Sequence, residues 1–264
     1  MTGDLLELDG ITLAFAGNTV LDSVDFRVGS GAIVSLIGPN GAGKTSLFNC
    51  ITGFYKPQSG SIRFGGRELL QLKPHQVTTA GIARTFQNVR LFHDMTVMEN
   101  VMSGLHCRSR AGAIAAIFRP PSQRREEAAI LEFANDCLRF VGVPEEEDGR
   151  IATTLAYGHQ RRVEIARALA TKPKLLLLDE PAAGLNTGEK QGLIDLIRRI
   201  RDERGISVLL IEHDTGLVMK VSERVTVMDH GVIIAEGTAK EIQSDPKVIE
   251  AYLGHENAEA DLEL

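Results

Sequence analysis

The sequence predicts an α/β fold built on a mostly parallel sheet, and three observations predict it. Short apolar runs of strand length alternate with amphipathic helical segments in the first and last thirds of the chain, the usual wiring of a parallel sheet. Two of those runs, residues 33–37 and 175–178, are densely apolar, as strands covered on both faces are. The middle third changes character and reads as helical, so an insertion at about residues 90–164 interrupts the sheet.

Residues 11–15 and 24–28 alternate apolar and polar side chains, as half-buried strands do, and Ala16-Gly17-Asn18 supplies the turn after the first. The run at 33–37 leads into a glycine-rich turn, then into helical spacing over 45–52. Residues 61–64 read as another short strand before Gly65-Gly66. Thr96-Val97-Met98-Glu99 is a capping box that opens a helix. The stretch 108–125 is basic and irregular, holds Pro120-Pro121, and reads as a loop or short helices, a solvated or headgroup-facing segment rather than a nucleic-acid patch. Leu131, Ala134, Leu138 and Val141 mark one face of a helix over 126–141, and Gly142 stops it. An acidic loop at 144–148 precedes a helix over 160–170. After the strand at 175–178, Leu193, Ile197 and Ile200 mark a helix ending at Gly205. Residues 207–211, 225–228 and 232–235 are strands, and 256–264, with four acids and no base, reads as a frayed tail.

Composition excludes several classes of function. Lys plus Arg total 29 against 35 for Asp plus Glu, a net charge of −6, which argues against a general nucleic-acid binder. Trp is absent and aromatics are only 5%, which argues against a base-stacking platform. The longest apolar stretch, 111–118, is far short of the roughly 20 residues a spanning helix needs. Met1-Thr2-Gly3-Asp4 has no basic lead into an apolar core, and Cys50, Cys107 and Cys137 are odd in number and widely spaced. The expectation is a cytoplasmic chain with small buried cysteines.

Gly38-Pro39-Asn40-Gly41-Ala42-Gly43-Lys44-Thr45 satisfies G-x-x-x-x-G-K-[ST] between a strand and a helix. Glycines let successive backbone N–H groups converge on phosphate oxygens, and the helix N-terminus adds partial positive charge. Asn40, Gly41, Ala42, Gly43, Lys44, Thr45 and Ser46 are therefore the candidate nucleotide-binding residues, with Lys44 for the β- and γ-phosphates and the Thr45 hydroxyl for Mg²⁺. The run Lys174-Leu-Leu-Leu-Leu-Asp179-Glu180-Pro181 is the second half of such a site. Its apolar strand delivers Asp179 to the sheet's carboxyl edge as a magnesium ligand, and Glu180 is placed to act as general base. The two motifs together describe a P-loop NTPase binding ATP and Mg²⁺.

Four further features, Thr85-Phe86-Gln87, Leu155-Ala-Tyr-Gly-His-Gln160, Ala183-Gly184-Leu185-Asn186 and Ile211-Glu-His213-Asp214, follow in an order that resembles the ATP-binding subunit of an ABC transporter over about residues 5–254. The resemblance implies a P-loop NTPase core with a mostly parallel sheet, an N-terminal antiparallel β subdomain and an inserted helical subdomain. It implies one nucleotide-binding domain over 1–264, with the core at about 1–89 and 165–240, the insertion at about 90–164 and a C-terminal segment at about 241–264. It assigns Phe15 to the adenine ring, Gln87 to Mg²⁺ or the attacking water, and His213 to the γ-phosphate. Asn186 stands where the family usually has Asp. Residues 155–160 stand where it usually has Leu-Ser-Gly-Gly-Gln, the signature loop that caps the γ-phosphate held by the opposite protomer; Tyr157, Gly158 and His159 take that role here. Ala156 replaces the family's Ser, so a hydroxyl donor is missing, while Gly158 and the following helix N-terminus still offer N–H groups.

The Ala-Tyr-Gly signature, Ala182-Ala183-Gly184-Leu185-Asn186 and the ending Val248-Ile-Glu-Ala-Tyr-Leu-Gly254 resemble the ATPase subunits of branched-chain amino-acid importers, although His159 stands where those have Gln. The implied partners are a second ATPase chain, as a homodimer or as a heterodimer with a paralogous subunit, integral-membrane permease subunits and, indirectly, an extracytoplasmic substrate-binding protein. Nucleic acid is not among them. The implied location is the cytoplasmic face of a bacterial inner membrane, as a peripheral subunit. Rival readings are an ABC motor for urea, amides or an exported lipid, and a soluble ABC ATPase acting on nucleic acid or ribosomes.

Overall fold

The computed structural model describes residues 3–105 and 121–252; the expectations for Cys107, most of the basic stretch at 108–125 and the acidic tail at 256–264 lie outside them. Strands β1 (Asp4–Phe15) and β2 (Asn18–Gly29) form a hairpin. Its two-residue turn is Ala16-Gly17 with φ of 48° and 86°, both positive, which matches the twist of the paired strands. Both strands are longer than their clean alternation suggests. In β1 the buried positions run Leu6, Leu8, Ile11, Leu13, and a register shift between Leu8 and Ile11 breaks the period of two.

Strand β3 (Ile33–Ile37) leads through the glycine-rich turn into α1 (Lys44–Ile51). Strands β4 (Ser59–Phe64) and β5 (Arg67–Glu68) then complete an antiparallel four-stranded sheet, ordered β2-β1-β4-β5. Helix α2 (Pro74–Ala80) and strand β6 (Ile82–Arg84) follow; neither is legible by period, since both are short and α2 buries only Val77.

Between β6 and the next strand lie α3 (Val97–Leu105), α4 (Pro121–Val141) and α5 (Tyr157–Ala170), which pack on one another. The expected capping box opens α3: Thr96 Oγ1 accepts from the Glu99 N–H at 3.2 Å, and Glu99 Oε2 accepts from the Thr96 N–H at 2.8 Å. Helix α4 starts at Pro121 rather than 126, with proline in the first turn where its missing N–H costs nothing. Helix α5 starts at Tyr157 rather than 160. Ala156 is extended (φ −57°, ψ 145°), so Tyr157, Gly158 and His159 form the helix's first turn instead of a loop before it.

Then come strand β7 (Leu175–Asp179), helix α6 (Thr187–Arg204), strand β8 (Ser207–Ile211), helix α7 (Thr215–Val221), strands β9 (Arg224–Asp229) and β10 (Val232–Gly237), and helix α8 (Ala239–Gln243), with residues 246–252 helical after it. The second sheet is ordered β10-β9-β3-β8-β7-β6; all neighbours are parallel except the edge pair β10 and β9. Every residue of β3, β7 and β8 is buried because both faces are covered. Leu36, Leu175, Leu177 and Leu209 pack toward α1 and the antiparallel sheet, with Leu47, Phe48, Phe26 and Ile62. Ile33, Leu176, Leu178 and Leu210 pack toward the helices, with Val163, Ile197 and Ile200. A third cluster, Ile37, Val218, Val225, Val227, Ile242 and Val248, packs α7 and α8 on β3 and β9.

Candidate functional site

The parallel strands β3, β8, β7 and β6 are consecutive neighbours, and each ends at the same edge with one piece of the candidate site. The glycine-rich turn follows β3, His213 follows β8, Asp179 and Glu180 end β7, and Gln87 follows β6. Ligands of open α/β sheets bind at this carboxyl edge.

In the turn after β3, Gly38, Gly41 and Gly43 have φ of 151°, 77° and 105°. A Cβ on Gly38 would lie 1.9 Å from the Met228 carbonyl oxygen, and one on Gly43 would lie 2.8 Å from that of Val20. The turn is pressed between β9 and β2, and only glycine fits there. Gly41, by contrast, is exposed and has nothing within 4 Å of that position. Helix α1 begins at Gly43 with no side chain capping its first turn, where Thr45 and Ser46 sit. Lys44 is 6% exposed, and its ammonium donates to the carbonyls of Gly38 and Pro39 at 2.7 and 2.8 Å. Burial pushes the Lys44 pKa down, while the carboxylates of Glu180 and Asp179 pull it back up. Asn40 and Thr45 are exposed and Ala42 is buried.

The structure brings Gln87, Glu180 and His213 together. Glu180 Oε2 accepts from Gln87 Nε2 at 2.8 Å, and Oε1 lies 2.6 Å from His213 Nε2. Glu180 has φ of 46°, unusual for a side-chain-bearing residue and held by bonds from its N–H to Ile211 O and from the Ala183 N–H to its own carbonyl.

Asp179 is 3% exposed, and Arg84 donates to its Oδ2 at 2.7 Å. Arg84 also donates to Asn49 Oδ1 at 2.7 Å and lies over the rings of Phe48 and Phe86. Sequence reasoning missed Arg84; its signal was a lone cation in the apolar run Gly81-Ile82-Ala83. It also missed Glu212, 4% exposed, which accepts from the N–H of Ala182 at 2.7 Å and of His213 at 3.0 Å and so ties the two turns together. Burial pushes its carboxyl pKa up, and those N–H donors pull it down.

The remaining residues lie apart from this group. Phe15, 46% exposed at the end of β1, packs edge-on against Tyr55 with ring centroids 5.1 Å apart. Tyr157 stands over Gly184, where a Cβ would meet its ring at 3.1 Å. Gly158 is covered by Glu189, which with Asn186 forms the capping box of α6. His159 Nδ1 lies 2.8 Å from Glu147 Oε2, in the acidic turn at 144–148. The neighbours of Tyr157, Gly158 and His159 within the chain include Gly184, Arg161, Glu189 and Glu147, and the turn at 38–45 is not among them.

Comparison with known proteins fits this geometry. The ABC transporter family model matches residues 21–183, and the branched-chain amino acid ATP-binding cassette transporter model matches 232–258. The high-affinity branched-chain amino acid transport ATP-binding protein BraF of Pseudomonas aeruginosa is 46% identical over 254 residues, spanning 96% of this chain and 99% of that protein. The ADP conformation of MJ1267, an ATP-binding cassette of an ABC transporter, superposes with a TM-score of 0.83 at 35% identity, covering 96% of this chain and all of that one. The dimeric structure of MJ0796, a bacterial ABC transporter cassette, has a TM-score of 0.75 at 25% identity, covering 89% of this chain and 98% of that one. The chain belongs to the ABC transporter family, as an ATP-binding cassette whose ATP hydrolysis is coupled to transport.

Proposed function

We propose that this chain is the ATPase subunit of an importer for branched-chain or related hydrophobic amino acids, working from the cytoplasmic face of a membrane on separate permease chains. The observation that carries the cargo is the 46% identity to BraF across nearly the whole chain, reinforced by the family match at 232–258. The observation that carries the chemistry is the pair of contacts from Gln87 and His213 to Glu180, beside the open phosphate turn.

The residues fit a nucleoside triphosphate with magnesium. The turn is exposed at Gly41, the first turn of α1 has no side-chain cap, and the buried Lys44 reaches back to the turn's carbonyls. The N–H groups of 41–46 and the Lys44 ammonium bind phosphate oxygens, and Phe15 offers its exposed ring to the base. Bound magnesium neutralises phosphate charge. The Thr45 hydroxyl, the Asp179 carboxylate and the Gln87 amide are the hard oxygen donors that would hold it. Arg84 engages only Oδ2 of Asp179, and no hydrogen bond among the described residues goes to Oδ1.

Glu180 takes the proton of the attacking water as general base; His213 steadies that carboxylate and reaches the γ-phosphate, and Gln87 orients the water. The first turn of α5, at Tyr157, Gly158 and His159, covers the site of a second chain, so two chains meet head to tail. A paralogous partner is favoured over a second copy. The permease is gripped around residues 87–101, beside a groove lined by Arg90, Phe92 and Gly104. No helix among the described residues is long and apolar enough to cross a membrane.

The test is uptake of radiolabelled leucine, isoleucine and valine by cells lacking this chain. Wild type should restore uptake and Glu180→Gln should not. Restoration of urea or amide uptake alone would overturn the cargo.

A further inference from the structure

Three side chains spaced three apart on α5 hold the backbone of residues 86–90. Arg161 donates to the carbonyls of Phe86 and Gln87, both at 2.6 Å. Glu164 accepts from Arg161 at 2.9 Å and from the N–H groups of Phe86 at 3.4 Å and Arg90 at 3.2 Å. Arg167 donates to the Arg90 carbonyl. Five backbone groups of one short loop thus end on one face of one helix.

Arg161 and Glu164 are each 1% exposed. Taking such a pair out of water costs about as much as the pair returns, and apolar residues of similar volume usually serve stability as well. Stability alone therefore does not account for a buried ion pair at this place. What the pair does hold is a loop with an otherwise exposed residue at its apex, Gln87, whose side chain reaches Glu180. At the other end, Arg161 also donates to the Tyr157 hydroxyl at 3.1 Å, in the first turn of the same helix.

We propose that Arg161 and Glu164 are positioning residues that fasten the Gln87 loop to α5, so that the Gln87 amide is set on Glu180 by the position of that helix. The proposal rests on the reading of Glu180 as general base. The first turn of α5 and the Gln87 loop then move as one body. Pressure on Tyr157 from a second chain's bound phosphate reaches the Gln87 backbone of this chain through the Tyr157 and Arg161 side chains, without passing through the sheet.

The experiment uses the full chain carrying Arg161→Met with Glu164→Leu, which removes both charges of the pair together while Arg167 keeps its bond to the Arg90 carbonyl, and Arg161→Lys as a milder variant. Amide hydrogen exchange without nucleotide reads the fastening directly. Exchange at residues 86–90 should rise by about tenfold or more while the strands keep their protection. With MgATP, kcat should fall by about tenfold to a hundredfold, the scale of an ångström of misplacement, with KM within about threefold. Arg161→Lys, which keeps a donor but not the fork, should recover part of it. Added to Gln87→Ala, the double change should cause no further loss of kcat, because both act through one contact. Unchanged exchange at 86–90, a kcat loss that multiplies with that of Gln87→Ala, or unfolding of both variants would overturn the proposal. Absence of ATPase activity in wild type would instead overturn the reading of Glu180, and the exchange measurement would still decide the fastening.

Discussion

Gly38→Ala probes the phosphate turn at its tightest point. The new Cβ would lie 1.9 Å from the Met228 carbonyl oxygen and 3.1 Å from its carbonyl carbon. Met228 is fully buried in β9 and paired with Ile233, so the turn yields rather than the strand. Opening that 1.9 Å contact to an ordinary carbon–oxygen separation of about 3.3 Å moves the turn by roughly 1.4 Å. The backbone at φ 151° adds about 1–3 kcal/mol of strain for a residue with a side chain. Displacing the turn weakens the two bonds from Lys44 to its carbonyls, at about 1 kcal/mol or more each. The sum is about 3–5 kcal/mol, or roughly 6–20 °C in Tm for a chain of this size.

Gly41→Ala is the control, because nothing lies within 4 Å of its Cβ position. It meets only left-handed strain at φ 77°, about 1–2 kcal/mol, partly offset by a stiffer unfolded chain, and should lose about 2–4 °C. Thermal unfolding followed by circular dichroism, with nucleotide titration by calorimetry, measures both. Equal losses at the two positions would refute the claim that the turn is pressed against β9.

Three other outcomes follow from the same geometry. Lys44→Ala should remove most MgATP affinity in a nucleotide titration, since the cation over the turn is lost while its carbonyl partners remain. Phe15→Ala should weaken ATP binding by about 5–150-fold, the range of one base-stacking contact, and leave inorganic triphosphate binding unchanged. Asp214 caps α7 and accepts from Lys190 at 2.7 Å, a bond that holds its carboxyl below the usual range. Its contribution to stability is thus complete above about pH 4, the ordinary Asp value, and is lost as pH falls through the depressed one. Urea unfolding across pH should show Lys190→Met with lower stability at neutral pH and a shallower acid limb.

Where a motif is carried by adjacent residues, its place in the fold was legible in the sequence. The run 38–45 and the pair Asp179-Glu180 announce phosphate and carboxylate chemistry by spacing alone, and β3 and β7 announce themselves by being apolar throughout. What was not legible depends on contacts between distant segments. Arg84 reaches Asp179 across 95 residues, Gln87 reaches Glu180 across 93, and Arg161 reaches Gln87 across 74; no period records such pairs. Short elements with one buried residue, such as α2, leave no apolar stripe to read. The first turn of α5 was read as a loop because tyrosine and glycine are weak helix formers, and packing against Gly184 and Glu189 outweighs that preference. The same packing changes what a variant at Gly158 reports. Any side chain there would meet Glu189 Oε1 at 2.4 Å, so Gly158→Asp disturbs the cap of α6 whether or not the glycine faces phosphate.

The central claim is that Glu180, engaged by Gln87 and His213, is the base of an ATP site completed by a second chain. Light scattering of purified Glu180→Gln, together with its paralogue, in ATP and then in ADP tests it most directly. The glutamine keeps the shape of the contact but takes no proton, so turnover should fall by about a hundredfold or more and the ATP-bound state should persist. The account predicts a doubling of mass in ATP and a return to monomer in ADP. A chain that binds ATP and stays monomeric would contradict it.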